Sequence, residues 1–170
     1  MISKYLAAKF LGPLTEKLSY NINIINEKGI IVASSDKNRI DTFHEAAYLL
    51  IKDKQDIAKI YSKDQSLLGV KPGVNLPIHY NKDVIGVVGV TGDPDEVLAV
   101  AYAIKTSLET MIEYEYYKDS IFLRQSKKNT FINLLLYEKA DETKTLMDMA
   151  KRLSYSSSLY RAPIIIAAKG

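Results

Sequence analysis

The chain has 170 residues, with 23 basic and 20 acidic side chains for a net charge of +3, and is 47% hydrophobic and 25% charged. This is ordinary globular composition, long enough for one domain plus an appendage and for a core that needs no covalent staple. Zero cysteines exclude a disulfide framework, a thiolate metal site and a cysteine nucleophile.

No apolar run approaches the roughly 18 residues of a membrane span, and the N-terminus has no signal-peptide pattern, so a soluble, cytoplasmic chain is expected. The pI near 8.8 does not argue for nucleic acid, because the excess is three charges and the lysines are scattered. Arginines are scarce, with Arg39, Arg124, Arg152 and Arg161 against many lysines, and only His44 and His79 are histidines. In so lysine-rich a chain an arginine stands out, because its planar fork binds carboxylates bidentately where lysine cannot.

Ile2, Leu6, Phe10, Leu14 and Leu18 step by four and predict an amphipathic helix over 2–18, kinked or split at Gly12-Pro13. Asn21-Ile22-Asn23-Ile24 alternates, Asn26-Glu27-Lys28-Gly29 supplies a turn, and Ile30–Ala33 continues extended, so a β-hairpin is expected. Thr42-Phe43-His44-Glu45 has capping-box form, with Thr42 as N-cap and a helix over 43–52 behind it; a second short helix is expected over 54–61. The prolines and glycines of Gly69–Pro77 predict a loop. Strands follow over 75–80 and 84–90, the second apolar throughout and therefore buried on both faces. Its Gly86 and Gly89 mark a close approach to the backbone.

Asp93-Pro94-Asp95-Glu96 is the clearest local signal, a cap, an N1 proline and a closing glutamate. Behind it Val97, Ala101, Ile104, Leu108 and Met111 form a seam for another helix, that of a partner subunit included, and no breaker appears before about Ala140. Ala162–Ala168 reads as a buried strand with nothing after it to pair with, which suggests a chain cut from something longer.

The candidate chemistry gathers around one corner. Ser34-Ser35 end the hairpin, Arg39 follows, and His44 sits in the first turn of a capped helix, whose free amides and partial positive charge attract anions. The 71–77 segment adds Lys71 and glycine-exposed amides, a nest for carboxylate oxygens. Each residue taken singly has a plainer reading. Arg39 pairs with Asp36 or Asp41 at the surface, His44 is satisfied locally, Lys71 is solvated, Gly73 serves a turn, and His79 is structural.

Ile30–Asp36, Arg39-Ile40-Asp41 with His44–Ala47, Gly69–Pro77 and Ile85–Gly92 occur in an order that closely resembles the sugar-diacid recognition domain of carbohydrate diacid regulators, a class of bacterial transcription factors. The resemblance covers roughly residues 3–135. Where relatives tend to carry glycine after the Arg-Ile pair, this chain has Asp41. The resemblance implies an α+β fold, a PAS- or cache-like antiparallel sheet flanked by helices, with a long C-terminal exit helix. It implies a sensor domain over 1–135, with 136–170 a helical linker and the start of a following domain. It implies a homodimer through helices, and DNA contact only through a C-terminal helix-turn-helix domain outside these residues.

The expected function is recognition of a sugar diacid or related hydroxy acid, without cofactor, metal or membrane. Arg39 pairs with a carboxylate, His44 donates to it, amides around Gly73, Val74 and Asn75 hold the other oxygens, Lys71 adds a cation, and Ser34, Ser35 and Thr91 serve hydroxyls. An enzyme is disfavoured: His44 and Glu45 are adjacent and diverge by about 100° around a helix, and no nucleophile triad, metal cluster or phosphate loop is present. A dimerisation unit without a diacid ligand is the other alternative.

Overall fold

The structure is a computed structural model and describes residues 2–62, 67–137 and 143–155. In chain order its elements are α1 (Lys4–Thr15), β1 (Asn21–Asn26), β2 (Ile31–Ser34), α2 (Glu45–Lys52), β3 (Ala58–Ile60), β4 (Gly73–Tyr80), β5 (Asp83–Thr91), α3 (Pro94–Tyr137) and α4 (Thr143–Arg152). The strands form one antiparallel sheet in the order β2-β1-β5-β4-β3. This is the expected α+β class, an antiparallel sheet flanked by helices with a long helix after it. By contacts the chain divides into two compact units, Met1–Glu115 and Tyr116–Gly170.

The apolar run of β5 is buried because β5 is the central strand, flanked by β1 and β4. One sheet face carries Ile22, Ile24, Val74, Leu76, Ile78, Val88 and Val90, packed with Ala7 and Leu11 of α1 and Val97, Ala101, Ile104, Leu108 and Ile112 of α3. The seam of α3 thus packs within its own unit rather than on a partner helix, and its last member is Ile112, fully buried, rather than Met111. Steps of four, three, four and four keep a helix stripe over a sheet, where a strict heptad would drift. Asp93 caps α3 as expected, its carboxylate accepting from the Asp95 amide at 2.9 Å. The opposite sheet face packs Ile25, Ile31 and Val87 against Ala47 and Leu50 of α2.

Several local expectations change. α1 runs through Gly12-Pro13 without a split and ends at Thr15, the proline falling in its last turn. Residues 58–60 form an edge strand, not part of a helix over 54–61. Lys54 adopts φ +52 and closes α2, and Ala58–Ile60 then pair with Asn75, Val74 and Gly73. The loop expected over 69–77 gives way at Gly73 to β4. Val74, Leu76 and Ile78 alternate into the core, and Pro77 is tolerated because β3 covers β4 only as far as Asn75. The β4–β5 hairpin turns on Asn81 and Lys82 at φ +50 and +72, the backbone of a type I′ turn.

Asp41 sits at φ +67, in the left-handed region that glycine occupies without cost. His79 links sheet to helix: its amide donates to the Glu109 carboxylate at 2.8 Å, and Lys105 pairs with the same carboxylate at 3.1 Å. In the second unit, Phe131 is buried and its ring stacks on Tyr155 with centroids 5.3 Å apart. The expected strand at 162–168, and most of the expected linker over 136–170, lie outside the described residues.

Candidate ligand-binding site

The sequence Ser34-Ser35-Asp36 ends β2 by turning its polar groups back on the chain. The Ser34 hydroxyl donates to Asn23 Oδ1 at 2.7 Å and accepts from the Asp36 amide at 3.0 Å. Asp36 Oδ1 then accepts from the Asn38 amide and starts a 3-10 turn over Lys37–Arg39. The Thr42 hydroxyl donates to the Arg39 carbonyl at 2.7 Å, so Thr42 closes this turn instead of capping α2. The N-cap of α2 is His44, whose Nδ1 accepts from the Ala47 amide at 3.2 Å. The Glu45 carboxylate reaches across the chain to accept from the Leu68 amide at 2.7 Å, and the Glu45 amide donates to the Leu68 carbonyl at 3.2 Å. The cap is thereby shifted two residues and no box closes, because an imidazole lone pair substitutes for a hydroxyl and the glutamate finds a tertiary partner.

These bonds bring the 67–70 segment against the start of α2. Gly69, at φ +68, lies so close that a Cβ there would meet the Phe43 carbonyl oxygen at 2.4 Å. Arg39 closes the corner by donating from Nη2 to the Gly69 carbonyl. Its Nη1 is buried and has no hydrogen-bond partner among the described residues. A buried, unpaired guanidinium nitrogen is costly and is an open donor.

The electrostatics follow from burial. His44 is 3% exposed, and desolvation, then the nearby Arg39 charge, push its pKa from 6.5 down to about 4. It is therefore neutral near pH 7. Since Nδ1 accepts the cap bond, the ring proton is on Nε2, its single donor. Burial also lowers the Arg39 pKa, against the opposing pull of Asp36, while leaving the guanidinium charged. Lys71 Nζ stands 3.9 Å from Asp36 Oδ2 with its side chain half exposed.

Beside this corner the α2 side of the sheet carries a row of polar and small residues. Register places Ser34, Asn23, Gly89, Asn75 and Ala58 side by side across the five strands, on the face that carries Ile25 and Val87. Asn23 and Asn75 are 1% and 3% exposed. Gly89 between them has no room for a side chain, because a Cβ would lie 2.7 Å from Asn75 Oδ1. The next row is Asn21, Thr91 and Gly73, with Asn21 Oδ1 buried and without a donor among the described residues.

Of the residues singled out in the sequence, Arg39, His44, Lys71 and Ser34 are joined at one corner by these contacts, and Thr91 and Asn75 lie on the polar sheet face. Ser35 continues the β-ladder, its amide donating to the Ile22 carbonyl and its hydroxyl accepting from the Ile22 amide. The expectation of free amides at Gly73, Val74 and Asn75 is corrected: they lie in β4 between β3 and β5, and Val74 is a core residue. What Asn75 presents is its side chain.

Asn23, Asn21, Gly69 and Gly89 are additions. The Asn21-Ile22-Asn23-Ile24 alternation held the signal, since two amides share the face opposite two core isoleucines. Among the described residues, no cluster of three or more His, Asp or Glu side chains is arranged to hold a metal ion, and no helix is long and apolar enough to cross a membrane.

Residues 2–135 match the family described as "Putative sugar diacid recognition", and the chain belongs to that family. It is 28% identical over 170 residues to an uncharacterised protein of Haemophilus influenzae, covering 97% of this chain and 45% of that one. It is 31% identical over 122 residues to the protein YsfB of Bacillus subtilis, covering 72% and 32%. It is 26% identical over 146 residues to the carbohydrate diacid regulator of Escherichia coli, covering 86% and 38%. The chain thus spans less than half the length of these curated relatives.

Proposed function

We propose that residues 1–135 are the ligand-sensing domain of a bacterial transcriptional regulator and bind a sugar diacid or related hydroxy acid. Arg39 Nη1 takes a carboxylate oxygen, His44 Nε2–H donates to the same group, and the Asn23, Asn75 and Thr91 side chains face the ligand hydroxyls. The observation that carries this is the buried Arg39 nitrogen without an acceptor among the described residues, beside a buried, neutral histidine whose Nδ1 caps α2. The family supports the ligand class, and the relative named carbohydrate diacid regulator supports the sensor role over an enzyme.

A charge-assisted hydrogen bond contributes about 1.5–3 kcal/mol, or roughly ten- to a hundredfold in affinity. Calorimetric titration of a panel of aldarates, aldonates and short hydroxy acids is expected to find a ligand whose affinity drops at least tenfold in Arg39→Ala. An unchanged affinity removes Arg39 from the site.

The signal passes from the sheet face through Thr91-Gly92 into α3, whose start is tied to the site by the Gly92 amide donating to the Pro72 carbonyl at 3.0 Å. The regulator acts as a homodimer, a role suited to the exposed Tyr117, Ile121 and Phe122 of α3, and a monomer in light scattering contradicts it. DNA contact falls to a helix-turn-helix domain outside these residues.

A further inference from the structure

We infer that the second unit carries a cationic groove that holds the phosphodiester backbone of nucleic acid without reading its sequence, in addition to any contact made by a helix-turn-helix domain. The small net charge of the chain conceals an uneven partition. Residues 116–170 hold ten basic and five acidic side chains, whereas residues 1–115 hold thirteen basic and fifteen acidic ones. Among the described residues of the second unit, seven basic side chains stand against two acidic ones, Asp119 and Asp148. Such an excess on one unit is the electrostatic footprint of a polyanion site, which the balance of the whole chain does not show.

The excess converges on one place. Arg124, Lys127 and Lys128 are spaced i, i+3 and i+4 on α3 and share a side of that helix. The end of α4 beside them closes as a Schellman turn: the Tyr155 amide donates to the Ala150 carbonyl at 2.9 Å, the Ser154 amide donates to the Lys151 carbonyl at 3.0 Å, and Ser154 takes φ +61. That turn, with the Tyr155 ring stacked on Phe131, fixes one wall of the groove. Two open clefts of about 470 and 530 Å3 share Arg124, Leu153 and Ser154 in their linings; the first adds Gln125 and Lys128, the second Lys127 and Arg152. Neither is lined by an aspartate or glutamate among the described residues, and Arg124, Lys127, Lys128 and Arg152 have no ion-pair partner there. Arg152 also suits the negative end of α4, but the three cations of α3 stand in mid-helix, where no helix end calls for them. Arginine, lysine, serine and glutamine are the side chains that bond phosphate oxygens and fix a nucleic acid by its backbone. The choice of a phosphodiester over an acidic peptide rests on the regulator reading above, which sets this chain beside DNA; the groove itself does not.

Fluorescence anisotropy of the intact 170-residue chain on a labelled random-sequence DNA duplex tests this. With about four phosphates neutralised, affinity is expected to fall roughly a hundredfold between about 50 and 200 mM salt. The triple variant Arg124→Gln/Lys127→Gln/Lys128→Gln is expected to bind at least tenfold more weakly at the lower salt, and its salt dependence to shrink to about a few-fold. Lys17→Gln/Lys28→Gln/Lys52→Gln removes the same charge from exposed positions of the first unit and is expected to bind as the wild type does. Should the α3 triple lose helix in circular dichroism, the single Lys128→Gln carries the same test, its salt slope lowered by about 1. No binding by the wild type at the lower salt, or an equal loss in both triples, overturns the inference. Polyglutamate competing as well as unlabelled duplex would assign the groove to an acidic polypeptide and overturn it too. Each of these results leaves the acid-sensing reading standing, since that is read by a separate titration.

Discussion

The double duty of His44, as α2 cap and as uncharged donor, makes stability depend on pH in a specific window. Its folded-state pKa is about 4 because burial and the Arg39 charge oppose protonation, whereas in the unfolded chain it titrates near 6.5. The folded state therefore resists a proton that the unfolded state accepts. Stability from this residue is fully present above about pH 6.5, is lost as pH falls toward about 4, and changes no further below that. At roughly 1.4 kcal/mol per pH unit the window corresponds to about 3 kcal/mol, a sizeable share of a typical domain's stability. Protonation also places a hydrogen on Nδ1, which then cannot accept from the Ala47 amide.

The assay is urea unfolding at about pH 7, 5.5 and 4 for the wild type and for His44→Asn. Asparagine caps helices well and does not titrate, so carboxylates and His79 cancel in the difference between the two proteins. Near pH 7 the variant is expected to be weaker by about 1 kcal/mol for lost packing, and the wild type to lose about 3 kcal/mol more than the variant on going to about pH 4. Parallel curves would refute the argument, since they would mean that His44 is protonated equally in both states.

Three further substitutions probe other parts of the account. Gly89→Ala places a methyl 2.7 Å from Asn75 Oδ1 and 3.6 Å from Ile25 Cδ1, and is expected to cost about 1–3 kcal/mol in urea unfolding and to abolish acid binding in calorimetry by turning the amide aside. Asp41→Gly should match or exceed the wild type in thermal unfolding, whereas Asp41→Ala should lose about 1 kcal/mol, because only the backbone at φ +67 distinguishes them. Ile112→Ala, at a fully buried position, is expected to cost about 2–5 kcal/mol in denaturant titration, and Met111→Ala clearly less; the reverse order would restore the seam as the heptad pattern drew it.

The elements that local chemistry determines were readable in the chain. Asp93 and Pro94 announce α3, Asn26 and Gly29 announce the first hairpin turn, and the unbroken apolar run of β5 announces a central strand. Tertiary partners decided the rest. Thr42-x-x-Glu45 satisfies the capping pattern, yet Glu45 gains more from the Leu68 amide, 23 residues away, than from a local bond. Ala58–Ile60 carries no strong strand signal of its own and extends only because β4 offers an unpaired edge.

In the site, Arg39 and His44 stood out by residue type, and the ordered motif blocks placed them together. The asparagines did not stand out, because an alternating Asn-Ile strand reads equally well with its amides in solvent. Only the register of β1 against β5 and β4 shows that Asn23 and Asn75 are buried on a shared face.

The central claim is that Arg39 and His44 together grip a carboxylate at the corner formed by β2, the start of α2 and the Gly69 segment. A crystal structure of the chain soaked with the acid that binds it most tightly tests this directly. One carboxylate oxygen is expected within about 3 Å of Arg39 Nη1 and another within the same distance of His44 Nε2, with hydroxyls over Asn23 and Asn75. An acid lodged elsewhere, with Arg39 bonded to Gly69 alone, would contradict it.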